Sequence, residues 1–203
     1  MRSRIGVLIS GRGSNLQALL DAQSAGALGG EIAVVLSNVE SAPGLALARG
    51  RGVVGVFNDH RGKPREQFDR ETASILKEHG VEWVCLAGFM RLLSAELITP
   101  FAGRMVNVHP SLLPAFPGKD AQRQAWEHGV KVSGATVHLV DAGLDSGPIV
   151  MQEAVPVLDA DDVETLAARI LAAEHRIYPT AVARLLQEPF RVEGRRVVFG
   201  TVQ

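Results

Sequence analysis

Arg4-Ile5-Gly6-Val7-Leu8-Ile9-Ser10 runs straight into Gly11-Arg12-Gly13-Ser14-Asn15-Leu16. The first seven residues form a short, mostly apolar run, the mark of a strand buried on both faces. Two glycines end it, and Ser14 to about Ser24 reads as a helix. Strand, glycine loop and helix open a parallel α/β sheet, and the rest of the first half repeats the pattern. Ile32 to Leu36, Val53 to Phe57, Val81 to Ala87 and Met105 to Val108 read as further strands. Helices are expected over Pro43 to Arg49 and from Pro64 to about His79, where proline opens the helix and Gly80 follows its end. Short alternating connections imply a mostly parallel, twisted sheet with helices on both faces.

The second half changes character. Ser133 to Val140 and Ile149 to Val157 are longer strand signals separated by the Gly- and Asp-rich stretch Asp141 to Pro148. That spacing suggests antiparallel strands added to the parallel sheet. Asp161 to about Leu186 is helical in composition, with Pro179 expected to kink or break it, and Arg195 to Val202 is a candidate closing strand. With no internal repeat, low-complexity tract or linker, one mixed α/β domain over residues 1–203 is expected.

Composition narrows the function classes. The chain is 46% hydrophobic and 21% charged, which is globular rather than disordered. A net charge of −1 and the lack of a basic run argue against a nucleic-acid partner. The apolar runs are strand-sized, far short of the roughly 20 residues of a membrane helix. Met1 to Ile9 lacks the pattern of a signal peptide, so a soluble cytoplasmic protein is expected. The single cysteine, Cys85, has no partner for an internal disulfide and lies in the apolar run Trp83 to Ala87, so it reads as a buried structural thiol.

The glycine loop is where a parallel sheet binds an anion. Glycines let the backbone approach a ligand, and free N–H groups at the helix start face its charge. Ser14 and Asn15 can add side-chain donors. A dinucleotide site would have a third glycine where Leu16 stands and an acidic residue where the second strand ends in Ser37-Asn38. A monophosphate therefore fits better, although Ser14 also reads as a plain N-cap.

Met105-Val106-Asn107-Val108-His109-Pro110 says most about chemistry. Alternation puts Asn107 and His109 on one face of a strand and Val106 and Val108 on the other. Two polar side chains at the carboxyl end of a central strand lie where open α/β sheets hold ligands. Pro114, in the abrupt exit Ser111-Leu112-Leu113-Pro114, is a candidate for a cis peptide bond. Asp141 and Asp145 are both candidates for the carboxylate that would favour protonated His109. An amide and an imidazolium aimed at one point suit a carbonyl oxygen gaining charge, as in acyl transfer without a covalent nucleophile. A satisfied structural cluster is the competing interpretation. Ser111 lacks the strand–elbow–helix setting of a nucleophile, and no paired His or Cys spacing suggests zinc.

Four stretches together resemble the folate-dependent formyltransferases, and among them the glycinamide ribonucleotide formyltransferases of purine biosynthesis. They are Ile9 to Gln17, Leu86-Ala87-Gly88-Phe89-Met90-Arg91-Leu92-Leu93, Asn107 to Pro114, and Leu144-Asp145-Ser146-Gly147-Pro148. The resemblance runs nearly end to end. It implies a nucleotide-phosphate half, Rossmann-like, over residues 1–100 and a folate-binding, catalytic half over 101–203. Gly13, Ser14 and Asn15 would hold the phosphate of glycinamide ribonucleotide. Met90, Arg91, Leu92 and Leu93 would line the pterin pocket of 10-formyltetrahydrofolate, with Arg65 along the cofactor. The loop Asp141, Ala142, Gly143, Leu144 and Asp145 would contact the folate head. Asn107 and His109 would polarise the formyl group, and Asp145 rather than Asp141 would keep His109 protonated. No metal, nucleic acid or membrane is implied, and the chain would act as a monomer or homodimer.

Glu174 has support of its own. Leu166, Ile170, Ile177, Ala181 and Leu185 follow one helix face, and Glu174 falls on that stripe. A carboxylate there needs a partner. The resemblance implies the substrate's ribose or amine region, whereas an ion pair with an arginine is the structural alternative. Lys119-Asp120-Ala121-Gln122-Arg123 stands where some members carry histidines. The Asn107 to Pro114 stretch also occurs in methionyl-tRNA formyltransferase and formyltetrahydrofolate deformylase. The former should carry an added C-terminal domain and the latter an added N-terminal one, and neither is expected here. A non-catalytic nucleotide- or folate-binding module would keep the phosphate loop and pocket without formyl transfer, which the combination of Asn107, His109 and Asp145 disfavours.

Overall fold

Alternation along the first strand sorts the interior into two layers. In the computed structural model, which describes residues 2–200, β1 (Ser3–Ile9) turns Ile5, Val7 and Ile9 into one core and Leu8 into the other. The parallel strands β2 (Gly30–Ser37), β3 (Val54–Phe57), β4 (Trp83–Leu86) and β5 (Met105–His109) join it in the order β3-β2-β1-β4-β5. Beyond β5 the sheet changes direction. β6 (Val132–Leu139) adds antiparallel to β5 and β7 (Ile149–Pro156) antiparallel to β6, as the spacing of the second half suggests. A hairpin of β8 (Phe190–Glu193) and β9 (Arg196–Phe199) completes nine strands, with β9 beside β7. The result is one α/β domain with a mostly parallel sheet and antiparallel strands in the second half.

Helices α1 (Ser14–Ser24), α2 (Pro43–Gly50) and α6 (Val163–Gln187) close one core over Val35, Cys85, Val106 and Val108. Leu16, Leu19 and Leu20 of α1 are fully buried there, each contributing about 1.5–3 kcal/mol relative to exposure. Burial pushes the Cys85 thiol up to about 12, as a structural cysteine requires. Helix α3 (Arg65–Glu78) covers the other face over Leu8, Val34, Leu36, Val84 and Leu86. Beyond α3, the same face of β5 and β6 carries Asn107, His109, Thr136 and His138, aligned by the register Asn107–His138 and His109–Thr136.

Two details differ from the expectations, and a third lies partly outside the described residues. Pro179 does not break α6, which runs unbroken from Val163 to Gln187. Proline removes only the bond to the carbonyl one turn back, and buried Ile177, Tyr178, Ala181 and Val182 hold the helix on the sheet across that point. The short helices α4 (Ala95–Ile98) and α5 (Ala121–Glu127) and strand β8 lie in stretches to which the sequence assigned no helix or strand. Segments of four to seven residues are too short for a periodic signal. Within the expected closing strand, residues 201 and 202 lie outside the described residues.

Candidate active site

The glycine loop is built for close approach. Gly13 sits in the left-handed region at φ 80 and caps α1, and a Cβ there would lie 3.0 Å from the Cα of Gly44. Gly44, at the start of α2, donates its N–H to the Gly11 carbonyl at 3.2 Å. Ser14 is thus the first helical residue and not the cap. No side chain caps α1, so its first-turn N–H groups lack a side-chain cap, the arrangement in which a helix start can accept an anion. Asn38, at the end of β2, accepts the Ser10 hydroxyl at 2.6 Å, so this strand end holds the loop instead of a ribose.

Asn15 turns its amide to α6. Its Nδ2 donates to Glu174 Oε2 at 2.6 Å, while its Oδ1 is buried with no partner. Glu174 is only 6% exposed, and burial raises its carboxyl to about 7 despite the opposing pull of the Asn15 bond. The partner that the apolar stripe demanded is therefore an amide and not an arginine. Tyr178, one turn further along α6, donates its hydroxyl to the Leu86 carbonyl at 2.8 Å and lies 3.1 Å from that of Val106. This fixes α6, and Glu174 with it, against β4 and β5.

At β5 the structure brings together four side chains. Asp145, held at φ 49, places Oδ2 3.4 Å from His109 Nδ1 and Oδ1 3.7 Å from His138 Nε2. Its Oδ2 also accepts the Gly118 N–H at 2.8 Å, which ties the loop after β6 to the loop after β5. His109, 4% exposed, donates from Nε2 to the Phe116 carbonyl at 2.9 Å. A carbonyl only accepts, so Nε2 carries a hydrogen and Nδ1 is the atom that meets the carboxylate. Asp141 is placed differently. Its Oδ1 accepts Gly143 N–H at 3.0 Å and the Ser146 hydroxyl at 2.8 Å, which braces the loop. Ser111 is buried and donates to the Ala115 carbonyl at 2.5 Å, and the Leu113–Pro114 bond is cis.

His138 was not found by sequence reasoning. Its Nδ1 donates to the Leu139 carbonyl at 2.9 Å, so Nε2 keeps a lone pair, 3.3 Å from Asn107 Nδ2. Burial pulls this histidine below its ordinary value, in keeping with a neutral ring that accepts the Asn107 amide. A histidine inside a strand was the available signal, but only the register Asn107–His138 reveals the contact.

The remaining predicted residues divide. Met90, Leu92 and Leu144 are exposed at 70%, 60% and 57%, unusual for large apolar side chains. Met90 donates its N–H to Ser10 Oγ at 2.9 Å, joining the loop after β4 to the glycine loop. Arg91 lies with its guanidinium 4.6 Å from the Phe68 ring centroid, Leu93 is half-buried, and Ala142 and Gly143 are exposed. Arg65 is exposed and pairs with its neighbour Glu66 at 3.2 Å, with no bond to the Asp145 cluster among the described residues. Nor, among those residues, are three or more His, Cys, Asp or Glu side chains grouped to hold a metal ion. No described helix is long and apolar enough to cross a membrane.

The loop after β1 is thus tied to the loop after β4, and the loop after β5 to the loop after β6, the latter pair beside an amide, two imidazoles and a carboxylate. Residues 3–182 match the family model described as formyl transferase. The chain belongs to the formyl transferase family. A crystal structure of glycinamide ribonucleotide transformylase 1 from Symbiobacterium toebii superimposes on it with a TM-score of 0.95 at 54% identity, covering 97% of this chain and 93% of that one. The phosphoribosylglycinamide formyltransferase of Mycobacterium tuberculosis is 44% identical over 203 residues, 98% of this chain and 92% of the relative. The trifunctional purine biosynthetic protein adenosine-3 of Drosophila pseudoobscura is 49% identical over 193 residues. Those residues are 94% of this chain but 14% of that far longer protein.

Proposed function

We propose that this formyl transferase moves the formyl group of 10-formyltetrahydrofolate onto the amine of glycinamide ribonucleotide, giving formylglycinamide ribonucleotide and tetrahydrofolate in cytoplasmic purine biosynthesis. The observation that carries the reading is the convergence of Asn107, His109 and His138 on Asp145 at the end of β5, in a sheet whose first strand leads into an uncapped helix start. The relatives' names supply glycinamide ribonucleotide and the formyl group, the folate donor is what the sequence resemblance implies, and the chemistry of the site suits both substrates. The backbone at Gly13, Ser14 and Asn15 suits a phosphate, and Glu174 beyond Asn15 suits a ribose hydroxyl or the amine. Exposed Met90, Leu92 and Leu144 suit the flat apolar face of a pterin, with Arg91, Leu93 and the loop from Asp141 to Asp145 completing its pocket.

In the proposed step the unprotonated amine attacks the formyl carbon, forming the new C–N bond and a tetrahedral oxyanion. His109 as imidazolium and the Asn107 amide stabilise that oxyanion. Asp145 holds the second proton of His109 at Nδ1, since Nε2 is committed to Phe116. The 3.4 Å spacing is loose for a charge-assisted hydrogen bond, so a substrate oxygen can share the Nδ1 hydrogen. His138 fixes the orientation of the Asn107 amide. Collapse breaks the bond from the formyl carbon to the folate nitrogen, and the proton lost by the amine reaches that nitrogen through water. Holding both substrates side by side lowers the entropic cost of their encounter. A formyl-transfer assay with glycinamide ribonucleotide, water and methionyl-tRNA as alternative acceptors tests the reading. Transfer to the ribonucleotide alone is expected, and preferential use of either other acceptor would overturn it.

A further inference from the structure

Asp69 stands out as a fully buried carboxylate, 0% exposed, in the second turn of α3. Its Oδ2 accepts the Ser94 N–H at 2.5 Å, and its Oδ1 is buried without a partner. An ionisable group is costly to bury with so few bonds, so packing alone gives no reason for it. The preceding residue, Phe68, is also 0% exposed, and the Arg91 guanidinium lies against its ring. Phe68 and Asp69 therefore hold Arg91 and Ser94, three residues apart on the irregular loop after β4. The other end of that loop is held by Ser10, whose hydroxyl accepts the Met90 N–H.

Between these anchors the chain is left open. Among the described residues, the backbone N–H groups of Arg91, Leu92 and Leu93 have no protein partner. Met90 and Leu92 meanwhile face outward. A loop with free main-chain donors and exposed apolar side chains would collapse onto the sheet unless something held it extended. We infer that Asp69 is a positioning residue, which, with Phe68 beneath Arg91, holds the Met90–Leu93 edge in the conformation that receives the flat heterocycle of the folate co-substrate. The inference rests on the folate reading of this loop given above. It assigns to the helix behind the site a role in co-substrate affinity and none in the chemical step.

Steady-state kinetics of full-length Asp69→Ala, with each substrate varied in turn, test the inference. The KM for 10-formyltetrahydrofolate should rise about tenfold, the scale of one lost hydrogen bond to a charged group. The KM for glycinamide ribonucleotide and kcat should stay within about threefold. Asp69→Asn, which keeps an acceptor oxygen, should restore most of the affinity; a purely electrostatic or packing role would not show that rescue together with the split. An unchanged folate KM in folded Asp69→Ala, or equal rises in both KM values, would overturn the inference. Should that variant not fold, Phe68→Leu decides, with the same selective rise expected and an unaltered folate KM against it. Wild-type protein inactive with both substrates would instead sink the functional reading on which the inference depends.

Discussion

Replacing Asp145 by Asn removes one charge and almost no volume. In the structure the carboxylate lies 3.4 Å from His109 Nδ1 and is largely buried, with its side chain 11% exposed. Two unit charges at that distance interact by about 5 kcal/mol at an effective dielectric constant near 20. Desolvation of the carboxylate and the residual hydrogen bond of an amide offset roughly half of this, leaving about 2–3 kcal/mol. At about 1.36 kcal/mol per factor of ten, kcat should fall by about 10²-fold. The Gly118 N–H, which Asp145 accepts at 2.8 Å, can still bond to an amide oxygen, so the loop should stay closed. The KM for glycinamide ribonucleotide should change little, because Gly13 and Glu174 lie on other elements. Initial rates with both substrates saturating measure the effect. A kcat within about threefold of wild type would show that the carboxylate does not support His109 in the transition state.

Other perturbations probe separate parts of the site. His138→Leu deprives the Asn107 amide of its acceptor, and kcat should fall about tenfold, the worth of one orienting hydrogen bond; an unchanged kcat would remove His138 from the account. Gly13→Ala forces a side chain into the left-handed region and against Gly44, so the KM for the ribonucleotide should rise at least tenfold while the folate KM holds. Glu174 carries a pH signature in the ligand-free protein. Its carboxyl is raised from 4.5 to about 7, so the unfolded chain loses this proton first as pH rises. Its contribution to stability is complete below 4.5, is lost as pH climbs to about 7, and is flat above. The loss is on the order of 3 kcal/mol. Urea unfolding at several pH values, compared with Glu174→Gln, isolates that term from His138, whose lowered value acts in the opposite sense. Parallel stability curves for the two proteins would refute it.

Much of the architecture was legible because its signals are local. The Ile5–Ile9 run, the glycine loop and the Asn107–His109 alternation each declare themselves within a few residues. The sheet direction after β5 followed from the spacing of two strands. What escaped was set by partners far away in the chain. Nothing local distinguishes Asp141 from Asp145. Only the fold shows that one braces its own loop while the other reaches His109, and in the sequence it was the resemblance that separated them. The Asn15–Glu174 bond joins residues 159 positions apart, so the stripe predicted a need for a partner without naming it. His138 became visible only with the β5–β6 register. The break allowed for at Pro179 did not occur, because tertiary packing holds α6 in place across it.

The oxyanion role of His109 is tested most directly by single-turnover formyl transfer with purified His109→Ala, both substrates saturating and the circular dichroism spectrum matching wild type. The account predicts a rate at least about 10²-fold below wild type. A folded His109→Ala protein that transfers the formyl group at a near-normal rate would contradict it.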